Sequence, residues 1–173
     1  GRLNPQSGGP PVPIRRQADG EVLVDDNPSG WRRSIYIEVR RSQPLTLLQV
    51  FDQPVMETNC TERGTSTVAS QALVLLNSST VEALGAAMVD RLESEGKPKG
   101  DAATIGDLID RAWRLAWGRA PTAPELARAQ AFLQQQASPE GQLGSRDPAQ
   151  ARRRALADLC QMLLSANEFA YVD

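Results

Sequence analysis

Four stretches of this chain place apolar residues three and four positions apart, and each is bounded by a residue pattern that starts or stops a helix. That combination restricts the fold more than any other feature. Ser79-Thr80-Val81-Glu82 has the form of a capping box, in which hydroxyl and carboxylate each satisfy a free backbone N–H. It precedes a stripe of Val81, Leu84, Met88, Val89 and Leu92. Thr104 opens a second long helix with Ile105, Leu108, Ile109, Ala112, Trp113 and Ala116 facing inward, and Gly118 stops it. Thr122-Ala123-Pro124-Glu125 is another capping box, followed by Leu126, Ala129, Phe132 and Leu133. Asp147-Pro148 starts the last helix, whose stripe runs through Ala155, Leu156, Leu159, Cys160 and Leu163. Shorter helices are expected from Leu45 to Phe51 and from Ser66 or Thr67 through Leu76. The expected fold class is mainly α: a bundle of four longer helices plus short ones.

Residues 1–30 break this regularity. Gly8-Gly9-Pro10-Pro11-Val12-Pro13 and Asn27-Pro28-Ser29-Gly30 are incompatible with regular helix, so an extended arm is expected there. Glu21 to Asp25 reads as a short strand. Residues 32–40 alternate, with Ile35, Ile37 and Val39 on one face and Tyr36, Glu38 and Arg40 on the other. Together these two segments would make a small β-hairpin, although Trp31-Arg32-Arg33 also reads as the opening of an irregular segment. The chain of 173 residues is thus divided into an arm, 1–30, and a single mainly helical domain, 31–173. It begins at Gly1 without methionine, which is the look of an excised or processed piece.

Composition then removes chemistry. With no histidine, Ser-His-Asp and Cys-His catalysis, histidine-ligated zinc and haem attachment through Cys-x-x-Cys-His are all absent from this chain. The two cysteines, Cys60 and Cys160, lie too far apart in sequence for a metal-ligand spacing; either both are free or they form one bridge. Of the 19 basic residues only Lys97 and Lys99 are lysine. The arginine clusters Arg32-Arg33, Arg40-Arg41 and Arg152-Arg153-Arg154 are interleaved with acids, and the net charge is −2. They read as solvated faces and not as a nucleic-acid surface. The apolar run Ala69 to Leu76 is too short for a membrane span.

What remains is a set of polar candidates. Asp52 and Glu168 are the two carboxylates whose setting suggests an acid/base pair, against the plainer reading of loop and cap residues. Arg63, Gln71, Asn77 and Asn167 complete the set, with Thr65 and Thr67 near them. Gln71 and Asn77 bracket the apolar run 72–76, so Asn77 fits a helix C-cap. Gln71 needs a buried hydrogen-bond partner, which loop backbone from 60–67 would supply. These residues read as organisers of a polar network more than as a ligand pocket.

Several strings also fall into a recognisable order. Arg32-Arg33-Ser34-Ile35-Tyr36 is followed by Phe51-Asp52-Gln53-Pro54, Cys60, Arg63 and Ser66-Thr67. Then come Gln71-Ala72-Leu73, Leu75-Leu76-Asn77, Arg111-Ala112 and Gly118-Arg119-Ala120-Pro121-Thr122. Leu164-Ser165-Ala166-Asn167-Glu168-Phe169 and Tyr171-Val172 close the series. This succession resembles the C-terminal part of the planctomycete-specific PSD domain, a domain of unknown function. Ala120 and Ala166 depart from the usual pattern. The resemblance spans nearly the whole chain. It implies a C-terminal module of a large bacterial protein that also carries a companion PSCyt domain and often a cytochrome-c-like haem domain. It further implies an extracytoplasmic setting, which favours a Cys60–Cys160 disulfide, and no catalytic residues to carry over. The expected role is therefore a non-catalytic structural or interaction module without a cofactor of its own. Its partners would be the upstream domains or another envelope component. The alternative is an accessory portion of a multidomain enzyme, polysaccharide-acting or cytochrome-linked, whose chemistry needs the upstream domains.

Overall fold

The computed structural model describes residues 3–25, 30–53, 69–95, 104–138 and 147–170. The chain forms two compact units, Gly1–Val74 and Leu75–Asp173.

The first unit is built on a short antiparallel hairpin, β1 (Ile14–Arg16) and β2 (Val22–Val24), with Ile14 opposite Val24 and Arg16 opposite Val22. Gly20 closes the turn at φ 94°, a conformation open to glycine and strained for other residues. Ile14 and Val22 meet Leu45, with Val24, Ile37 and Leu48 around them, in a small apolar core. Leu45 precedes α1 (Thr46–Val50), and the Thr46 hydroxyl accepts the Val22 N–H at 2.9 Å, which ties helix to strand.

The hairpin forms and keeps the strand expected at 21–25 as β2, but its partner is not the segment the alternation favours. Its first strand is 14–16, inside the proline-rich arm, while residues 34–36 make a turn of 3-10 helix. Ile35 is 83% exposed, and residues 32–40 meet the arm through the Val12–Ile37 bridge and the Arg32 side chain. The physical cause is Arg32. Its guanidinium donates to the carbonyls of Gly8 and Pro10 and lies 4.1 Å from the Tyr36 ring centroid. Folding Tyr36 back under Arg32 bends the chain just where a strand would run straight, and the Tyr36 N–H bonds to Arg33 O at 2.9 Å.

The second unit holds the four long helices expected from the stripes. These are α3 (Ser79–Glu95), α4 (Ile105–Trp117), α5 (Ala123–Gln136) and α6 (Pro148–Leu164); the last three residues of α2 (Ala69–Asn77) precede them and α7 (Asn167–Ala170) follows. Leu92, Ile109, Ala112, Ala155 and Cys160 are completely buried, with Leu133, Leu156, Leu159 and Leu163 around them. α6 is the central element, packing on α3, α4, α5 and α7. Its side chains also satisfy the free carbonyls at the end of α2. Gln161 Nε2 donates to Leu76 O at 2.8 Å and the Ser165 hydroxyl to Leu75 O at 3.2 Å.

Helix ends follow the capping logic with one shift. Thr104 and Asp107 form a reciprocal box, and Gly118 ends α4 in the left-handed region at φ 70°. The Thr122 N–H and hydroxyl both donate to Glu125, at 2.7 and 2.8 Å. Asp147 accepts the Ala149 N–H at 3.0 Å, with Pro148 in the first turn of α6. At α3 the helix already includes Ser79, so Ser78, buried between α2 and α3, is the junction and its carbonyl accepts the Glu82 N–H. Glu82 thus sits one position too far along the helix for the expected box.

Candidate functional site

The polar candidates divide between the two units. In the first, Asp52 follows α1 with φ 56°, one of the few left-handed positions an aspartate tolerates, and its side chain faces solvent. Gln71, in the first turn of α2, is 4% exposed, and its Nε2 donates to Val50 O at 3.0 Å. This partner is the last carbonyl of α1; the loop backbone of 60–67, expected to supply one, lies outside the described residues. This bond satisfies a helix-end carbonyl and fixes α2 to α1. Arg63 and Cys60 lie outside the described residues.

In the second unit, Asn77 ends α2, and Asn167 and Glu168 open α7. Asp52 belongs to the first unit and Glu168 to the second. Glu168 meets a residue outside the polar set, Arg119. Arg119 Nε and Nη2 reach the two Glu168 carboxylate oxygens at 2.6 and 2.9 Å. The same guanidinium uses Nη1 and Nη2 on the two oxygens of Glu125, at 2.9 and 2.8 Å, and Nη1 also donates to Ala120 O. It lies 5.0 Å from the centroid of the Trp117 ring. One arginine thus links the α4–α5 connection, the capping box of α5 and the segment after α6. The signal that could have found it is Gly118-Arg119-Ala120-Pro121-Thr122, which puts a forked cation between a helix stop and a capping box.

The electrostatics follow the geometry. Glu125 is held well below the ordinary carboxylate range, first by Arg119 and then by the Thr122 N–H and hydroxyl. Glu168 is lowered chiefly by its bond to Arg119, and Arg119 is raised by both acids. Because both carboxylates are depressed, their contribution is complete at neutral pH and is lost only as pH falls through their folded-state values.

A second cluster lines a groove of about 290 Å³ between α3 and α6, with Glu82, Val89, Arg153, Arg154, Asp158 and Gln161 around it. Arg153 bridges Asp90 and Glu93 of α3. Asp158 is raised, first by burial and then by Glu82, against the lowering effect of Arg154. Among the described residues no group of three Asp, Glu, Cys or His is placed to hold a metal ion, and no single helix is long and apolar enough to cross a membrane.

Cys160 is a free thiol at the centre of the helical core. Burial pushes it from an ordinary 9.0 up to about 12, so at neutral pH it is a small apolar group and no nucleophile. Its unfolded thiol ionises first, so folding stability falls as pH rises from 9.0 toward about 12. Between about pH 8 and about pH 10 the protein is expected to lose about 1.4 kcal/mol more than its Cys160→Ala variant. Urea unfolding at the two pH values measures this, and equal losses would refute it.

Among the described residues these groups secure helix ends or join neighbouring elements. Searches of the curated proteins and of the solved structures find no match. The profile of one protein family does match, over residues 1–133, which takes in the first unit and the second as far as Leu133 in α5. The strings at 164–169 and 171–172, part of the resemblance seen in the sequence, lie beyond the matched residues. With more than three quarters of its length matched, the chain belongs to the PSD1 family, proteins of unknown function also described as DUF1553.

Proposed function

We propose that this chain is a non-catalytic structural or interaction module at the C-terminus of a large, envelope-associated bacterial protein. It works outside the cytoplasm, holds no cofactor of its own, and pairs with the upstream domains of its parent or another envelope component. The carrying observation is how its buried and clustered polar groups are used. Gln71 is spent on a helix-end carbonyl, and Glu125 on a cap and a guanidinium. Such groups organise backbone; a catalytic site keeps polar atoms free to meet a substrate.

Gln71→Ala tests the organiser role. It leaves the Val50 carbonyl without this partner in a partly buried setting, at a cost of about 1–3 kcal/mol. The melting temperature should fall by several degrees in calorimetry. An unchanged melt would show that Gln71 organises nothing and would remove the support for the module reading.

A further inference from the structure

The segment after α6 is attached in an unusual way. α7 lies against α4 and α6 yet contains no buried residue, and Phe169 is 47% exposed. Its own backbone bonds are short-range, from the Phe169 and Ala170 N–H groups to Ala166 O. Among the described residues its specific tie to the rest of the unit is Glu168, through two parallel bonds to one edge of Arg119. That edge is held ready without Glu168. Glu125 grips the guanidinium through both oxygens, Ala120 O accepts a third bond, and the Trp117 ring lies alongside. Trp117 is fixed in turn by its Nε1 bond to Leu163 O at 3.2 Å and by the edge contact with Trp113.

From this geometry we propose that Arg119 is a preformed carboxylate receptor, that α7 occupies it as an intramolecular ligand, and that a glutamate-bearing peptide segment can take its place. Glu125 already neutralises the guanidinium, so a second carboxylate is held by forked hydrogen bonding more than by net charge. The pair is solvent-exposed, and exposed pairs are weak enough to exchange. A partner presenting such a segment would compete with α7 and release it. The clasp would operate in a structural module or in part of an enzyme alike, so its failure is a separate result from failure of the module reading.

The test uses the full chain and its Glu168→Gln variant. Amide exchange across 167–170 should rise roughly three- to tenfold, while the melting temperature stays within about 2 °C. Arg119→Lys, which keeps the charge but loses the fork, should loosen the same amides. The blocked peptide Ser-Ala-Asn-Glu-Phe-Ala, added to the Glu168→Gln chain, should shift the Arg119 Nε–H resonance, and its glutamine counterpart should not. Unchanged protection at 167–170 in Glu168→Gln would mean that packing holds α7 and would overturn the proposal. Equal shifts from the two peptides would overturn it as well.

Discussion

A chain cut after residue 133, where the family match ends, should fail to fold its helical unit. The cut removes α6, and with it Ala155, Leu156, Leu159, Cys160 and Leu163 from the core. Leu92, Ile109, Ala112 and Ala129 would then face water on the side where α6 packs. The three lost leucines alone represent about 1.5–3 kcal/mol each, against a total domain stability of about 5–15 kcal/mol. Ion pairs go too: Arg153 no longer bridges Asp90 and Glu93, and Arg119 loses Glu168. Circular dichroism of the cut chain should show far less helix than α3, α4 and α5 would contribute, with no cooperative melt of that unit. Protection of the Leu92, Ile109 and Ala112 amides at the level of the full chain would contradict this. The folding unit therefore extends past the segment by which the family is recognised.

The helical core was readable in advance because it is a local pattern. Apolar residues spaced three and four apart, as in Ile105, Leu108, Ile109 and Ala112, have one way to be buried together, and Gly118 and Thr122 mark the ends. Gln71 also announced itself, as a polar residue inside an apolar run, but its bond to the Val50 carbonyl did not. Val50 lies 21 positions away, and nothing in either residue type selects the other. The hairpin was displaced for a similar reason. Alternation at Ile35, Ile37 and Val39 is a local cue, overruled by the bonds from Arg32 to Gly8 and Pro10, more than 20 residues back. Arg119 and Glu168 are 49 positions apart, and an arginine in a loop carries no mark of which acid it will meet. Local periodicity therefore settles the elements, while the polar clusters depend on tertiary encounters.

Gly85 sets the spacing of the two most extensively packed helices, and enlarging it beyond alanine should be strongly destabilising. α3 and α6 run antiparallel there: Gly85 faces Ala157 and Gln161, while farther along α3 Asp90 and Glu93 meet Arg153. A Cβ on Gly85 would lie 3.0 Å from Ala157 O and 3.3 Å from Gln161 N, both backbone atoms of a helix that cannot yield locally. Two effects compete in Gly85→Ala. Helix propensity favours alanine by about 1 kcal/mol, and the close contact opposes it by a comparable amount, so the net change should be small. Gly85→Leu gains no more propensity but must push the helices apart. That movement opens gaps beside Val89 and Cys160 in the core below, at a cost of about 3 kcal/mol or more. Urea unfolding of the wild type and the two variants separates the terms. If leucine is tolerated as well as alanine, the close approach of α3 and α6 is not what holds this face of the bundle together.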